Sequence, residues 1–128
     1  MELKIGMVFD IEDVVEFKDT AANIGSGAME VLSTPRMIAL MEGAAFYGVK
    51  PYIGEENTTV GSTVDIRHLA ATPIGATVRA EAELIEYEGR RMLFRVAAYE
   101  GDRLVGEGQH ERYVVNIDRF MKKAAERG

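Results

Sequence analysis

The chain has 128 residues, of which 47% are hydrophobic and 28% are charged, and these proportions are those of a globular protein and exclude a disordered one. With 15 Lys and Arg against 21 Asp and Glu, the net charge is -6, and the absence of a dense basic cluster argues against nucleic acid as a partner. The absence of cysteine excludes disulfides, thiol nucleophiles and thiolate metal sites.

Length and hydropathy give further expectations. We expect one domain over 1–128, because a chain of this size buries roughly two-thirds of its unfolded surface. The start lacks the apolar stretch of a signal peptide, and no run reaches the ~20 apolar residues that span a bilayer. We therefore expect a cytoplasmic protein with no membrane partner. The pairs Arg90-Arg91 and Lys122-Lys123 remain candidates for the phosphates of a small ligand.

The first element predicted is a strand within residues 7–18, where apolar residues mix with acids. The stretch 19–27 is polar and contains glycine, which is typical of a loop. A helix comes next. Ser33 or Thr34 can cap it, and Pro35 suits its first turn, where a missing N–H costs nothing.

Only two charged residues, Arg36 and Glu42, occur between positions 36 and 47 of this helix. Glycine and proline mark its end after position 47. A helix that is apolar almost all round belongs in the middle of a domain.

The rest of the chain alternates with period two and then ends in a short amphipathic helix over 117–127. Short turns near positions 72–75, 88–89 and 100–102 separate its strands, and three such turns in succession indicate an antiparallel meander. The strands are predicted near 59–71, 76–88, 91–100 and 103–116.

One apolar helix with antiparallel strands on both sides of it in the chain is best accommodated if the sheet curls around the helix. This is the hotdog arrangement, an α+β fold. An open two-layer α+β sandwich with the same element order is the alternative.

Glu42 is the most informative residue. No basic side chain lies three or four positions from it on the helix, where the neighbours are apolar. A carboxylate taken from water without a partner is costly and is a candidate base or nucleophile. The alternatives are a buried ion pair with a strand arginine, or a helix edge that is more exposed to water.

His68 shares the apolar face of its predicted strand with Val64, Ile66 and Ala70, and this face is expected to lie on the helix. It is either a partner of Glu42 in catalysis or a hydrogen-bonded core histidine. Thr34 lies at the start of the predicted helix, where unpaired N–H groups can stabilise an oxyanion. Capping of the helix is the alternative role for its hydroxyl.

Three residues of the predicted sheet are weaker candidates for binding. His110 and Arg112 share one face of the last long strand, and Arg112 is suited to hold a carbonyl, carboxylate or phosphate oxygen unless it pairs structurally with Glu42. Gly61 can bring backbone N–H groups close to a ligand. With two histidines far apart and no cysteine, a zinc site is not expected, and we expect no metal and no cofactor.

Six segments of the chain match one known family in register: 31–34, 40–42, 61–63, His-Leu-Ala-Ala-Thr-Pro at 68–73, 88–91, and Gly-Gln-His-Glu-Arg at 108–112. In these segments the chain resembles the hotdog thioesterases related to fluoroacetyl-CoA thioesterase, and the similarity covers residues 30 to 125. The resemblance implies a homodimer with the sheets joined edge to edge and an acyl-CoA site at the interface; a tetramer built from two such dimers is the alternative. It implies that Thr34, Glu42 and His68 are catalytic and that Gly61, His68 and Arg112 bind the acyl thioester.

The predicted activity is hydrolysis of a small acyl-CoA thioester to the acid and CoA. His68 orients the reacting centre, Glu42 attacks the carbonyl or activates water, and Thr34 bonds Glu42 or the oxyanion. The segment 25–28, where the fluoroacetyl-specific enzyme has an aromatic-rich lid, contains no aromatic residue, which argues against a fluorinated substrate. A non-catalytic acyl-CoA sensor and a hotdog hydratase or dehydratase are the alternatives.

Overall fold

The computed structural model of the chain describes residues 2–126 and contains five strands and three α-helices over that range. The final helix, predicted over 117–127, is described as far as Glu126, and Arg127 lies outside the described residues. The strands are β1 (Val8–Val14), β2 (Asn57–His68), β3 (Thr77–Glu88), β4 (Arg91–Glu100) and β5 (Arg103–Asn116), and the helices are α1 (Ala21–Ile24), α2 (Thr34–Val49) and α3 (Ile117–Glu126).

The strands form one antiparallel sheet in the order β1-β3-β4-β5-β2. Helix α2 packs against the sheet and contacts β1, β2, β3 and β4. Apolar side chains from α2 and from alternate positions of β3 and β4 form the core between them, including Met37, Met41, Leu84, Phe94 and Val96. The predicted hotdog fold is confirmed.

The expected meander is only partly correct. Strands β3, β4 and β5 are joined by short turns and pair in sequence, but β2 pairs with β5 at one edge, so the link from β2 to β3 crosses the end of the sheet. The Thr72 carbonyl accepts a hydrogen bond from Leu32, and the Gly75 N–H donates one to Val15. Turn residues report a local reversal of the chain, and they carry no information about which strand becomes the neighbour.

Helix α2 begins as its start signals predict. Ser33 is the N-cap, and its hydroxyl accepts a hydrogen bond of 3.1 Å from the Arg36 N–H. The Arg36 side chain then donates to Asp19 at 2.9 Å and to Asp13 at 3.2 Å. Asp19 is buried, so this ion pair ties the first turn of α2 to the chain that precedes it. The predicted loop 19–27 contains the one-turn helix α1.

The two edges of the sheet are formed by β1 and β2. Strand β2 has a register shift between Gly61 and Thr63, and its residues 61–65 are exposed. An exposed strand edge presents unpaired backbone groups to any neighbour. Among residues 2–126, no helix is long and apolar enough to cross a membrane.

Candidate active site

His68 is the last residue of β2 and meets the first residue of α2. The His68 Nδ1 and the Thr34 Oγ1 are 2.7 Å apart, a short hydrogen bond between an imidazole and a hydroxyl. Of the two residues that could cap α2, Ser33 does so, which leaves the Thr34 hydroxyl to the imidazole. Thr34 was expected to bond Glu42 or an oxyanion, and in this structure its hydroxyl bonds His68.

Burial lowers the pKa of His68 below its ordinary value of 6.5, and the backbone of Ala70 only partly offsets this effect. The ring is therefore neutral at pH 7. Within the described range 2–126, its Nε2 is enclosed and has no partner with hydrogen-bond geometry. A neutral imidazole bonded to a hydroxyl can take the hydroxyl proton at Nδ1 or donate its own, according to the tautomer.

A cleft of about 490 Å³ opens beside Thr34 and His68. Segment 26–29, the pair Val31 and Leu32, and residues 69–71 form its walls. Most of these side chains are apolar or small. A pocket of this size and character, with a hydroxyl and an imidazole at its edge, suits a small organic ligand.

Glu42 lies further along α2 and faces β2 and β5. Its Oε2 is 3.8 Å from the Arg112 Nη1, and its side chain is 39% exposed. Both alternatives that the sequence left open are thus present in part, because Glu42 has a strand arginine as its partner and also has access to water. A separation of 3.8 Å is too long for a hydrogen bond, so the carboxylate is not locked in place.

Arg112 is held firmly from the opposite side. Its Nε donates to the Thr59 Oγ1 and its Nη2 donates to the Thr59 carbonyl, each at 2.8 Å. Its Nη1 lies 3.1 Å from the His110 Nε2. Burial lowers the pKa of Arg112 and Glu42 partly offsets this, but an arginine stays protonated. Three contacts fix the direction of the guanidinium, and that direction brings Nη1 near Glu42.

Gly61 stands where these side chains meet. A Cβ atom on Gly61 would lie 3.1 Å from the Glu42 Oε2 and 3.1 Å from the His110 Cε1, which is closer than side chains normally approach. The absence of a side chain therefore lets the carboxylate and the imidazole come up to the backbone of β2.

The predicted site residues form two groups within one chain. Thr34 and His68 form the first group, and Glu42, Gly61 and Arg112 form the second. Positions 34 and 42 are about 12 Å apart along the helix axis, at ~1.5 Å per residue. A single chain therefore does not bring Thr34 and Glu42 into contact.

Two further residues belong to the second group and were not predicted. Thr59 binds Arg112, and the Thr63 carbonyl lies 2.8 Å from the His110 Nδ1. Both are threonines in a strand, where threonine is common, so the sequence contains no signal that marks them.

The basic pair Arg90-Arg91 was a candidate for phosphate binding. In the structure Arg91 is engaged by Glu86 and Glu111 on the outer face of the sheet. Over residues 2–126, no three His, Cys, Asp or Glu side chains are grouped so that they could hold a metal ion.

Comparison with known proteins identifies one family. The family model described as fluoroacetyl-CoA-specific thioesterase matches residues 15–118. The fluoroacetyl-CoA thioesterase of Streptantibioticus cattleyicolor is 39% identical over 98 residues, which cover 77% of this chain and 70% of that protein.

Solved structures give the same result. A structure of the fluoroacetyl-CoA thioesterase aligns with a TM-score of 0.93 at 32% identity, covering 100% of this chain and 99% of that one. A mutant of that enzyme in complex with fluoroacetate and CoA aligns with a TM-score of 0.87 at 35% identity, covering 92% and 99%. A thioesterase superfamily member from Thermus thermophilus aligns with a TM-score of 0.86 at 30% identity, covering 97% and 94%.

Proposed function

Since the chain belongs to the fluoroacetyl-CoA-specific thioesterase family, we propose that it hydrolyses a small acyl-CoA thioester through Thr34, Glu42 and His68, without a metal ion. The general class, an acyl-CoA thioesterase, follows from the family. The assignment of Thr34 and His68 is supported above all by the 2.7 Å bond between the Thr34 hydroxyl and the His68 imidazole beside a cleft. The assignment of Glu42 is supported by its partly exposed carboxylate beside Arg112 and Gly61.

The Thr34-His68 pair supplies proton transfer. Because burial keeps the His68 ring neutral, the ring can accept the proton that the hydrolytic water loses, directly or by way of Glu42, and pass it to the CoA sulfur. Attack by the Glu42 carboxylate itself releases no proton. The Thr34 hydroxyl lies at the start of α2, where backbone N–H groups and the helix dipole favour negative charge. When the His68 proton is on Nδ1, the Thr34 hydroxyl accepts that bond and can donate its own proton to the oxyanion that forms on the thioester carbonyl.

Glu42 acts either as the nucleophile or as the base that activates water. In the first, a carboxylate oxygen attacks the carbonyl carbon, the C–S bond breaks, and water then hydrolyses the resulting anhydride. In the second, Glu42 takes a proton from a water molecule that attacks directly. Its loose 3.8 Å contact with Arg112 and its partly exposed side chain leave it free to do either.

The two groups of residues come together if two copies share the site. Strand β2 is an edge strand with residues 61–65 exposed. Antiparallel pairing of β2 with its symmetry mate runs the His68 end of one strand toward the Gly61 end of the other. The Thr34-His68 pair of one copy then faces Glu42, Gly61 and Arg112 of the second copy, with the acyl thioester between them.

The proposed substrate is a short or medium acyl-CoA with no requirement for fluorine. Mutants of the related enzyme have been solved in complex with fluoroacetate and CoA and in complex with acetyl-CoA. Here, segment 26–29 of the cleft wall consists of Ser, Gly, Ala and Met, so no aromatic side chain of that segment closes over the acyl group.

A thiol-release assay over acyl-CoAs from acetyl to decanoyl, run in the presence of EDTA, tests the proposal. We expect CoA release from at least one of them at a rate that the chelator does not change. Activity that EDTA abolishes and zinc restores would contradict the metal-free route. Tight binding of an acyl-CoA without turnover would instead identify a sensor.

A further inference from the structure

His110 is a buried titratable residue that the proposed reaction does not use. It lies on β5, is 1% exposed, and packs its ring against Phe94 of β4 with the ring centroids 6.5 Å apart. Water does not reach such a ring. Both of its nitrogens must therefore find partners within the protein.

The two partners of His110 require the same form of the ring. The Nδ1 lies 2.8 Å from the Thr63 carbonyl, which can only accept, so Nδ1 must carry a proton. The Nε2 lies 3.1 Å from the Arg112 Nη1, which can only donate, so Nε2 must offer a lone pair. Only the neutral tautomer with the proton on Nδ1 satisfies both contacts.

A β-bulge in the edge strand provides the first of these contacts. Gly61 is opposite Arg112 and Thr63 is opposite Glu111, so Ser62 is an extra residue in β2. The Ser62 hydroxyl donates to the Glu111 carboxylate at 2.6 Å. A bulge breaks the regular ladder and re-aims nearby groups, and here the Thr63 carbonyl meets the His110 side chain.

We propose that His110 is a positioning residue, whose neutral ring holds the Arg112 guanidinium toward Glu42 and Gly61. This inference rests on the proposed function, in which Arg112 and Glu42 serve the acyl-CoA site. The Thr63 carbonyl fixes the His110 ring, the ring contacts the Arg112 guanidinium, and the guanidinium lies beside Glu42. A proton added to Nε2 would face the guanidinium N–H groups and break the contact with Arg112.

The charges that act on His110 favour its neutral form. Burial lowers its pKa below 6.5 and is the largest effect, and Arg112 on its own strand acts in the same direction. The Thr63 carbonyl of β2 and Glu42 of α2 oppose this shift. The neighbouring strand β4 contributes the uncharged Phe94. The contact with Arg112 is therefore made at neutral pH and is lost as the pH falls through the lowered pKa.

Two substitutions separate positioning from packing. His110→Phe keeps a ring against Phe94 but removes both hydrogen bonds, whereas His110→Gln keeps a donor for Thr63 and an acceptor for Arg112. We expect kcat/KM per folded molecule to fall by ~10- to 100-fold in the Phe variant, since small displacements of a site residue cost that much. The Gln variant should recover most of the loss.

Val96→Ala is the control, because Val96 is buried on β4 without bonds to the site. It should lower stability and leave kcat/KM unchanged. If both His110 variants turn over acyl-CoA at the wild-type rate per folded molecule, the proposal is wrong.

The pH profile gives a readout that packing does not move. As the pH falls, protonation of His110 should release Arg112 and lower kcat/KM. His68 also titrates, so the informative quantity is the difference between the wild type and His110→Gln, which has no ring to protonate. We expect the acid limb of the Gln variant to move to lower pH. Superimposable profiles would overturn the proposal.

The ring nitrogens of His110 can also be observed without any substrate, by ¹⁵N NMR of the wild-type protein. We expect the proton on Nδ1, and a proton on Nε2 would refute the contact with Arg112. This experiment separates the two proposals. A protein that hydrolyses no acyl-CoA would end the proposed function, while the tautomer would still test the link between His110 and Arg112.

Discussion

Neighbouring hydroxyls at the start of α2 have different roles. Ser33 accepts a hydrogen bond from the Arg36 N–H and caps the helix, while Thr34 bonds the imidazole of His68. A capped helix does not need the second hydroxyl. The Thr34 hydroxyl is therefore available to bond His68. If the N-cap were one residue later, at Thr34, the hydroxyl would be used for capping instead.

Substitution of Glu42 tests its proposed role as the nucleophile or the general base. Glu42→Gln keeps the shape and removes the charge, so turnover should fall by ~10²-fold or more. The side chain is 39% exposed and its contact with Arg112 is 3.8 Å long, so the free energy of unfolding should change by about 1 kcal/mol or less. Thioesterase rate and urea unfolding are measured on the same preparation.

The matched control for this substitution is Glu12→Gln, which removes an exposed carboxylate of β1. It should affect neither rate nor stability. A Glu42→Gln protein that is strongly destabilised but has normal turnover per folded molecule would show that Glu42 is only a structural partner of Arg112.

The pairing of β2 with β5 depends on glycine in β5. A Cβ on Gly108 would lie 2.1 Å from the Asp65 carbonyl oxygen, and a Cβ on Gly106 would lie 2.5 Å from the Met37 sulfur. The first contact is with backbone, which cannot swing away. The two glycines thus allow the strand that carries His68 to lie close to β5 and to α2.

Gly108→Ala should therefore loosen the edge of the sheet. We expect the free energy of unfolding to fall by about 1 to 3 kcal/mol or more, because the backbone of β2 must shift to admit the methyl group. Urea unfolding measures this, with Gln109→Ala as the control, since that side chain is exposed on the same strand. Equal urea midpoints for Gly108→Ala and the wild type would contradict the close packing of β2 on β5.

Across the whole molecule, the proposed catalytic residues are divided between two places. Thr34 and His68 meet at the end of β2, whereas Glu42 lies beside Gly61 and Arg112. Neither place has all the groups that hydrolysis requires. The exposed edge of β2 offers a way to combine them, because a second copy paired there brings its own His68 end to the Gly61 end of the first.

Mixing two inactive variants tests this arrangement. Glu42→Gln and His68→Ala should each be inactive alone. When the two are unfolded and refolded together in equal amounts, half of the dimers are mixed, and each mixed dimer has one site with both residues intact. Roughly a quarter of wild-type activity should return. Sedimentation should show a dimer.

No recovery of activity in a mixture that forms mixed dimers would place each site within one chain. A species of 14.1 kDa at micromolar concentration would contradict the dimer itself.

Periodicity and turn chemistry were enough to predict the elements. Strands predicted at 91–100 and 103–116 are found at Arg91–Glu100 and Arg103–Asn116, and the helix begins at the predicted cap. These features depend on the side chains of neighbouring residues, which the sequence displays directly. The apolar helix and the family motifs led from there to the hotdog fold and the thioesterase class.

The arrangement of the site depended on contacts between residues far apart in the chain. Turn residues did not reveal that β2 pairs with β5 rather than with β3. No local pattern predicted three further features: the bulge at Ser62, the hydrogen bonds between Thr59 and Arg112, and the bond between Thr34 and His68. Each depends on which backbone and side-chain atoms come within hydrogen-bond distance once the sheet has closed on α2, and only the packing of the folded chain decides that.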